Sequence, residues 1–425
     1  MSKKESIQQT VDSMKESRQH VVDSTQGGKS SSLSTVYRLL STEKGLLSTK
    51  AGFSLVELMI TMVVFLIIIA AASGILTGMV TQFKQQSKIA ETNIEGIIGL
   101  EVMRQDIEHA GYGLPWVIPA TVSYSEASAG YNDSPSNPPR AILSGNGAGF
   151  NGSDELIIKA TNIARNTTAQ KWTYLYFGNT KKTWTPDCEN VNKDSNCNTK
   201  NTVRVIVVSP GTTDANRKSL IVNSGSFFTQ YGATSGFEPT DPTETQPRII
   251  YGIDPDTDLR MPFNRADYYI STSSVPQRCA SNTGVFSKNV ISHSNGSRAD
   301  NLPLLDCVAD MQVVFGIDTT ATPDGAVDCY VNNLSNAFVV NAENIRNRVR
   351  EVRFYILAHE GQYDRDFTYT TNPVRVGEDL PRCSPGASDE AVLGRSRDLS
   401  NPNITNWQNY RWKVYTMVVK PSNLR

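Results

Sequence analysis

One carboxylate, Glu57, stands at the start of a long uncharged stretch, where it needs a charge partner. From Leu58 to Phe83 no residue carries a formal charge, and about 20 apolar residues suffice for a helix to cross a membrane. A carboxylate held at bilayer depth costs roughly 3 kcal/mol unless it is paired. The nearest basic residue, Lys50, lies two helical turns away, about 10 Å, which is too far for a hydrogen bond.

Cleavage of the chain after Gly52 would supply the missing partner. Phe53 would then carry a free α-ammonium group, which could pair with a Glu57 carboxylate. Within one helix the first and fifth residues barely reach each other, so we expect the pair to join neighbouring copies. The chemistry predicted for this stretch is proteolytic processing followed by charge pairing between subunits.

Residues 52–58, Gly-Phe-Ser-Leu-Val-Glu-Leu, resemble the class III signal of type IV pilins and pseudopilins. The resemblance implies that a prepilin peptidase cuts after Gly52 and methylates the new N-terminal Phe53, and that Glu57 acts in assembly. A Sec signal peptide fits less well, because its apolar core is about 7–15 residues long and precedes the cleavage site. Here the expected cut precedes the apolar run.

A single helix must position these residues. No proline occurs between Phe53 and His109, so one helix of up to about 85 Å is possible at 1.5 Å per residue, and Gly-Tyr-Gly-Leu-Pro at 111–115 ends it. Beyond Phe83 we expect an apolar stripe on a sheet, because apolar residues recur at spacings of three and four. The predicted stripe comprises Ile94, Ile97, Ile98, Glu101, Val102 and Ile107.

Three further segments resemble the PilW family of minor pilins. They are residues 101–113, where a charged turn runs into Ala-Gly-Tyr-Gly, and residues 307–318 and 410–420. The resemblance implies a type IV pilin-like fold, with a long N-terminal helix packed on a β-rich globular domain.

Short runs rich in Val, Ile and aromatic residues follow the helix and predict antiparallel strands. We predict strands at 155–160, 172–177, 203–208, 220–222, 248–253, 268–271, 311–317, 349–358 and 412–419. The polar intervals 178–201 and 272–300 are interpreted as surface loops or insertions, and 115–150 as a connection. A helix followed by many strands gives the α+β class.

Three parts are expected along the chain. Residues 1–52 form a cytoplasmic leader that is cleaved, 53–112 the pilin helix with its transmembrane part at about 55–83, and 113–425 a periplasmic β-rich domain. The formal net charge is −1, and without a basic tract nucleic acid is not expected as a main partner. The expected location is the bacterial inner membrane with a single span, and then the pilus at the cell surface.

All six cysteines lie downstream of the apolar run, as expected for disulfides formed in an oxidising compartment. They are Cys188, Cys197, Cys279, Cys307, Cys329 and Cys383. Cys188 and Cys197 bracket a short loop and are the simplest pair to propose, while the other pairings stay open. A zinc site is the alternative, but no C-x₂-C pair occurs and histidines are scarce.

Acidic residues around a glycine turn, Asp318, Asp324 and Asp328, are weak candidates for Ca²⁺ ligands. The EF-hand pattern is not met, because threonines occupy the intermediate positions; a plain hairpin is the favoured interpretation, and no cofactor is predicted. The loop from Asp254 to Asp258 is a similar case. The histidines are isolated and no hydrolase motif occurs, so we expect no enzyme activity.

The leading hypothesis is a minor subunit of a type IV pilus that takes part in assembly, priming or tip structure. Its expected partners are the prepilin peptidase, other major and minor pilins and the inner-membrane assembly platform. A minor pseudopilin of a type II secretion system is one alternative. A pilus-borne adhesin is another, since the aromatic residues Trp172, Tyr176 and Trp184 could bind a partner or glycan, although alternating aromatics also suit a strand core.

Overall fold

The computed structural model places two helices and sixteen strands in the part of the chain that it describes. The described residues are 54–128, 130–181, 202–211, 217–242, 246–334, 338–383, 393–401 and 403–424. Two compact units are distinguished, residues 1–77 and residues 78–425. The fold is α+β, with a long N-terminal helix and an antiparallel β-rich domain, as the sequence predicted.

Helix α1 runs from Leu55 to Glu108, over 54 residues, and helix α2 from Ala342 to Arg348. Helix α1 begins two residues after the predicted start at 53 and ends four residues before the predicted end at 112. Its later turns are supported by ion pairs one turn apart, such as Lys88 with Glu91 at 2.5 Å. Such pairs add a few tenths of a kcal/mol each.

The strands, in chain order, are β1 Ile142–Gly145, β2 Glu155–Ala160, β3 Trp172–Tyr176, β4 Thr180–Lys181, β5 Arg204–Ser209, β6 Ser219–Leu220, β7 Thr229–Gln230, β8 Arg248–Asp254, β9 Asn264–Ser271, β10 Gly284–Ile291, β11 Arg298–Ile317, β12 Cys329–Val331, β13 Val349–Glu360, β14 Val374–Glu378, β15 Leu393–Arg397 and β16 Arg411–Val419. Each of the nine predicted strands corresponds to one of them.

The central element is an eight-stranded sheet in the order β1-β2-β9-β10-β11-β13-β16, with β12 paired to β11. Its pairs are antiparallel. A six-stranded sheet has the order β4-β3-β8-β5-β6, with β7 on β5, and β14 pairs with β15. The main core combines side chains of the large sheet, such as Met311 and Phe354, with Met103 and Ile107 of α1.

The interpretation of 272–300 as a surface loop is wrong. Strand β10 lies in this interval, between β9 and β11, and all eight of its residues are buried. Its central residues, Ser287, Lys288 and Asn289, are polar, which hid the strand from a search for apolar runs. They are tolerated because they have partners in the fold: Asn289 Nδ2, for example, donates to Tyr269 Oη at 2.9 Å.

The predicted stripe of helix α1 is also largely wrong. Ile94, Ile97 and Ile98 are 59%, 67% and 61% exposed. The buried face consists of small, polar and apolar residues instead: Thr92, Gly96, Gly99, Leu100, Met103, Asp106 and Ile107. Of the predicted stripe, only Ile107 is in the buried set.

Glycine explains the difference, because it lets the helix backbone approach the sheet. At Gly99 a Cβ atom would stand 2.1 Å from the carbonyl oxygen of Leu304 in β11, and at Gly96 it would stand 3.3 Å from Leu305 Cδ1. Close approach of backbones requires residues without side chains. The helix therefore meets β11 through glycine, and Ile94, Ile97 and Ile98 stay outside the contact.

Candidate assembly helix and its anchorage

Helix α1 begins with a cap supplied by Ser54. The backbone N–H of Val56 donates to Ser54 Oγ at 3.3 Å, and the N–H of Leu58 donates to the Ser54 carbonyl at 3.1 Å. Ser-x-x-Glu is the capping-box spacing, and an acid in the first turn is favoured by the helix dipole. The sequence pattern Ser54 to Glu57 contained this signal, which the sequence analysis missed.

The Glu57 side chain is exposed in the described structure. No ion pair to it occurs among the residues from 54 onwards that the structure describes. Gly52 and Phe53, the predicted cleavage residues, lie outside the described residues. The carboxylate is therefore accessible to a partner, and the processing assignment stays a prediction.

The first half of α1 exposes its apolar side chains. Within the described residues, α1 alone is long and apolar enough to cross a membrane, and none of its most apolar window is buried. Phe65 and Leu66 are both 63% exposed, and Phe83 is 72% exposed. In water such a surface would be strongly unfavourable, so it requires lipid or other helices around it.

A buried charge cluster anchors the second half of α1 to the large sheet. Tyr268 Oη of β9 donates to Asp106 Oδ2 at 2.5 Å, and Lys288 of β10 forms an ion pair with the same oxygen. Lys288 Nζ also donates to the Ile163 carbonyl at 2.9 Å. Burial, with the Asp106 charge adding to it, raises the pKa of Tyr268 well above its usual value, so this phenol stays a donor at every physiological pH.

Polar contacts near the middle of the helix tie it to other strands. Arg278 Nη2 lies 3.0 Å from Glu95 Oε2 and 2.8 Å from Asp306 Oδ2 of β11. Lys413 Nζ of β16 donates to Asn93 Oδ1 at 2.9 Å. The helix is thus held by contacts to both β11 and β16.

The C-terminal end of α1 is completed by a distant segment. The N–H of Ser422 donates to the Glu108 carbonyl at 2.9 Å, and Asn423 Nδ2 donates to the same oxygen at 3.3 Å. The last carbonyls of a helix have no partner within the helix. Residues 422–423 supply donors for one of them.

Four of the six cysteines form disulfides in the described structure, Cys279 with Cys307 and Cys329 with Cys383. Cys188 and Cys197, the simplest pair proposed from the sequence, lie outside the described residues. Both bonds join residues far apart in sequence, with separations of 28 and 54.

His359 stands beside the first disulfide, and its ligand atom lies within 4.8 Å of both sulfurs. The sulfurs are bonded to each other, so they are not thiolate ligands for a metal. The Nε2 atom of His359 accepts a hydrogen bond from the Ala280 N–H at 2.9 Å. Burial lowers the pKa of His359 to about 3, which keeps the imidazole neutral and able to accept.

The weak Ca²⁺ candidates are engaged in loop hydrogen bonds. Asp318 Oδ2 accepts from the Gly325 N–H at 2.8 Å, Asp324 Oδ1 from Ala326 N–H at 2.9 Å, and Asp328 Oδ2 from Thr319 N–H at 2.8 Å. The hydrogen bonds from Thr320 and Gly325 lower the pKa of Asp318 against the effect of its burial. Each carboxylate therefore shapes the turn.

The acids of the loop after β8 are also engaged in hydrogen bonds and an ion pair within the fold. Asp254 Oδ1 accepts from the N–H groups of Asp256 and Thr257 at 2.9 and 2.6 Å, which is an Asx-type turn. Asp258 Oδ1 forms an ion pair with Arg204 Nε at 2.6 Å. These acids therefore support the turn and its link to β5.

The aromatic residues of β3 form a half-buried ladder. The rings of Trp172 and Tyr174 lie 5.3 Å apart, and those of Tyr174 and Tyr176 6.4 Å apart. Thr173 and Leu175, on the opposite face, are buried. Trp184 lies outside the described residues. The ladder stabilises strand packing and leaves part of each ring in solvent.

A capped apolar helix with an acid in its first turn, anchored by its second half to an antiparallel sheet, is a pilin-like α+β arrangement. The comparisons with known proteins agree. Residues 47–73 match the family model of the prokaryotic N-terminal methylation motif. Residues 267–423 match the family model PilW, type IV pilus-assembly protein W.

The PilW match extends from β9 to just beyond β16, and so includes the strands to which α1 is anchored. The resemblance to the PilW family and to class III prepilin signals is confirmed. The two matches support a type IV pilus-related minor pilin, anchored in a membrane by a single span and partnered by other pilins. No curated protein and no solved structure matches the chain.

Proposed function

We propose that this minor pilin takes part in pilus assembly, as a priming or tip subunit whose N-terminal helix joins the bundle of pilin helices. A prepilin peptidase removes residues 1–52 and methylates Phe53. The β-rich domain faces the periplasm while α1 waits in the inner membrane. The assembly platform then moves the subunit into a filament that reaches the cell surface.

The observation that carries this proposal is the exposed apolar half of α1 with one accessible acid in its first turn. Leaving the bilayer is energetically acceptable only if other apolar helices replace the lipid around this surface. Glu57, paired with the α-amine of a neighbouring pilin, satisfies both charges in a medium where an unpaired charge is costly. That pairing also sets the axial position at which the helix enters the filament.

The first test concerns processing. Gly52→Leu places a bulky side chain at the cleaved bond, so the protein is expected to accumulate as the unprocessed precursor. The mass of the protein extracted from membranes gives the answer. A mature product beginning at Phe53 in the variant would contradict the assignment of the cleavage site.

The second test concerns assembly. Glu57→Val removes the charge but leaves the peptidase recognition residues Gly52 and Phe53, so we expect a cleaved protein that is depleted in sheared filaments. Ser54→Ala is the matched control, since it removes the helix cap and keeps the carboxylate. Normal recovery of Glu57→Val in filaments, or an equal loss with Ser54→Ala, would refute the charge-pairing role.

A further inference from the structure

A cavity of about 970 Å³ lies in the β-rich domain, away from the contacts that anchor α1. Its walls come from four places in the sequence: residues 116–117, 132–140, 217–218 and 340–347, the last of which includes α2. Small-molecule sites in proteins typically enclose about 300–1,000 Å³. The cavity is therefore large enough for a ligand of several functional groups.

Three basic side chains converge on one aromatic ring of this cavity. The guanidinium of Arg346 lies 3.8 Å from the centroid of the Trp116 ring, Lys218 Nζ lies 4.7 Å from it, and the guanidinium of Arg217 lies 5.4 Å from it. Arg140 also lines the wall. Like charges this close repel one another in a partly desolvated site, so the cavity favours an anion.

The carboxylates of the wall do not fully balance Arg346 and Lys218. Asp133 is held by Arg140 Nε and Lys159 Nζ, both at 2.6 Å. Glu343 is the other acid in the wall, and its charge partly offsets the effect of burial on the pKa of Arg346. Arg346 Nε is buried and makes no hydrogen bond in the described part of the chain, and a buried donor without an acceptor is unfavourable.

The clustering of positive charges affects the pKa of Lys218. Burial first, and then the charges of Arg346 and Arg217, lower the pKa of Lys218. Burial likewise lowers the pKa of Arg346. An anionic group in the cavity would stabilise both cations.

Side-chain amides supply the rest of the polar wall. Asn137, Asn341 and Asn347 line the cavity, and an amide offers both donors and an acceptor. Asn137 Nδ2 donates to the Asp133 carbonyl at 3.0 Å, and Asn341 Oδ1 accepts from the Asn344 N–H at 2.7 Å, which leaves the Asn137 oxygen and the Asn341 nitrogen for a ligand. Within the described residues, the Asn347 side chain forms no hydrogen bond. A bare phosphate or carboxylate would use only the donors, whereas hydroxyl groups match both kinds of atom.

We propose that this cavity binds a sugar bearing an acidic group, with the acid on Arg346 and Lys218 and the hydroxyls on the asparagine amides. The ligand class follows from the excess of cations, the amide wall and a volume greater than a single anion fills. The proposal is independent of the assembly role of α1. It would give the domain a glycan-binding function in addition to its place in a pilus.

The test uses the full-length protein in a detergent without a sugar headgroup, titrated by calorimetry with four probes. The probes are D-glucuronate, glucose 6-phosphate, glucose and inorganic phosphate. Tighter binding of either acidic sugar than of both glucose and phosphate supports the proposal, and comparison of the two acidic sugars identifies the acid. No binding, or phosphate binding as tightly as the acidic sugars, overturns it.

Variants assign the binding to the cavity. Arg346→Gln and Lys218→Gln are each expected to weaken acidic-sugar binding about tenfold or more, as loss of a charged hydrogen bond does. Asn347→Ala removes an amide without changing charge and should weaken binding severalfold. Arg375→Gln changes an exposed cation on β14 and is the matched control. Equal affinity in Arg346→Gln, with its near-ultraviolet circular dichroism unchanged, would overturn the assignment.

Discussion

Replacing Gly99 of helix α1 with alanine tests whether the helix depends on close approach to β11. In the native contact the added methyl group would stand 2.1 Å from the Leu304 carbonyl oxygen, 2.7 Å from its carbonyl carbon and 2.9 Å from its Cβ. Contacts below 3.0 Å are not tolerated, and the first two atoms belong to backbone that cannot rotate away. The helix or the strand has to move by about 1 Å.

Two opposing effects set the change in stability of Gly99→Ala. Alanine is favoured over glycine inside a helix by about 1 kcal/mol. Overpacking a well-packed contact costs about 1–3 kcal/mol, and a clash with backbone belongs at the upper end. We expect a net loss of about 1–2 kcal/mol, or a Tm lower by about 2–6 °C.

The matched control is Gly78→Ala on the same helix, because a Cβ at Gly78 meets nothing within 4 Å. Thermal unfolding in detergent, followed by near-ultraviolet circular dichroism, reports the packing of the domain in both variants. Gly78→Ala should be as stable as the wild type or slightly more stable. If Gly99→Ala matches the control, the glycine contact is not what holds the helix to the sheet.

Three further predictions concern the buried groups. Neutral His359 has its pKa lowered to about 3, so its contribution to stability is present above about pH 6.5 and is lost as the pH falls towards 3. At pH 5 the loss is about 2 kcal/mol. In His359→Gln the difference in unfolding free energy between pH 8 and pH 5 should therefore be smaller by that amount. Asp106→Ala leaves Lys288 buried and unpaired and should destabilise the domain by about 3–5 kcal/mol, whereas Asp106→Ala with Lys288→Met should recover most of the loss in the same denaturant titration. Replacing both Cys329 and Cys383 with serine removes a disulfide between residues 54 positions apart. The free energy of unfolding should fall by about 4 kcal/mol on the chain-entropy model, which is measured as a lower denaturation midpoint.

The sequence predicted helix α1 well because its determinants are local. Proline is absent up to Leu114, and helix α1 ends at Glu108, three residues before the Gly-Tyr-Gly segment begins. The orientation of the helix was mispredicted because the buried face was identified by apolarity. The residues that in fact pack on the sheet include Gly96, Gly99 and Asp106. Gly99 is needed because Leu304, about two hundred positions away in sequence, lies against it.

Strands were predicted where Val, Ile and aromatic residues cluster. They were missed where burial is offset by specific partners, as in β10, where Lys288 is compensated by Asp106 and by the Ile163 carbonyl. No local pattern contains that information. The basic cavity was missed for the same reason, since Trp116, Lys218 and Arg346 are brought together only by the fold.

The hydrogen bonds from Ser422 and Asn423 to the Glu108 carbonyl have a consequence for the order of events in the cell. Helix α1 precedes every strand that the structure describes, yet its Glu108 carbonyl is bonded by a residue 315 positions later in the chain. The Glu108 carbonyl therefore gains these two donors only after residues 422–423 have been synthesised. A chain that is still being made thus lacks the hydrogen bonds that complete the end of α1, and a finished chain has them.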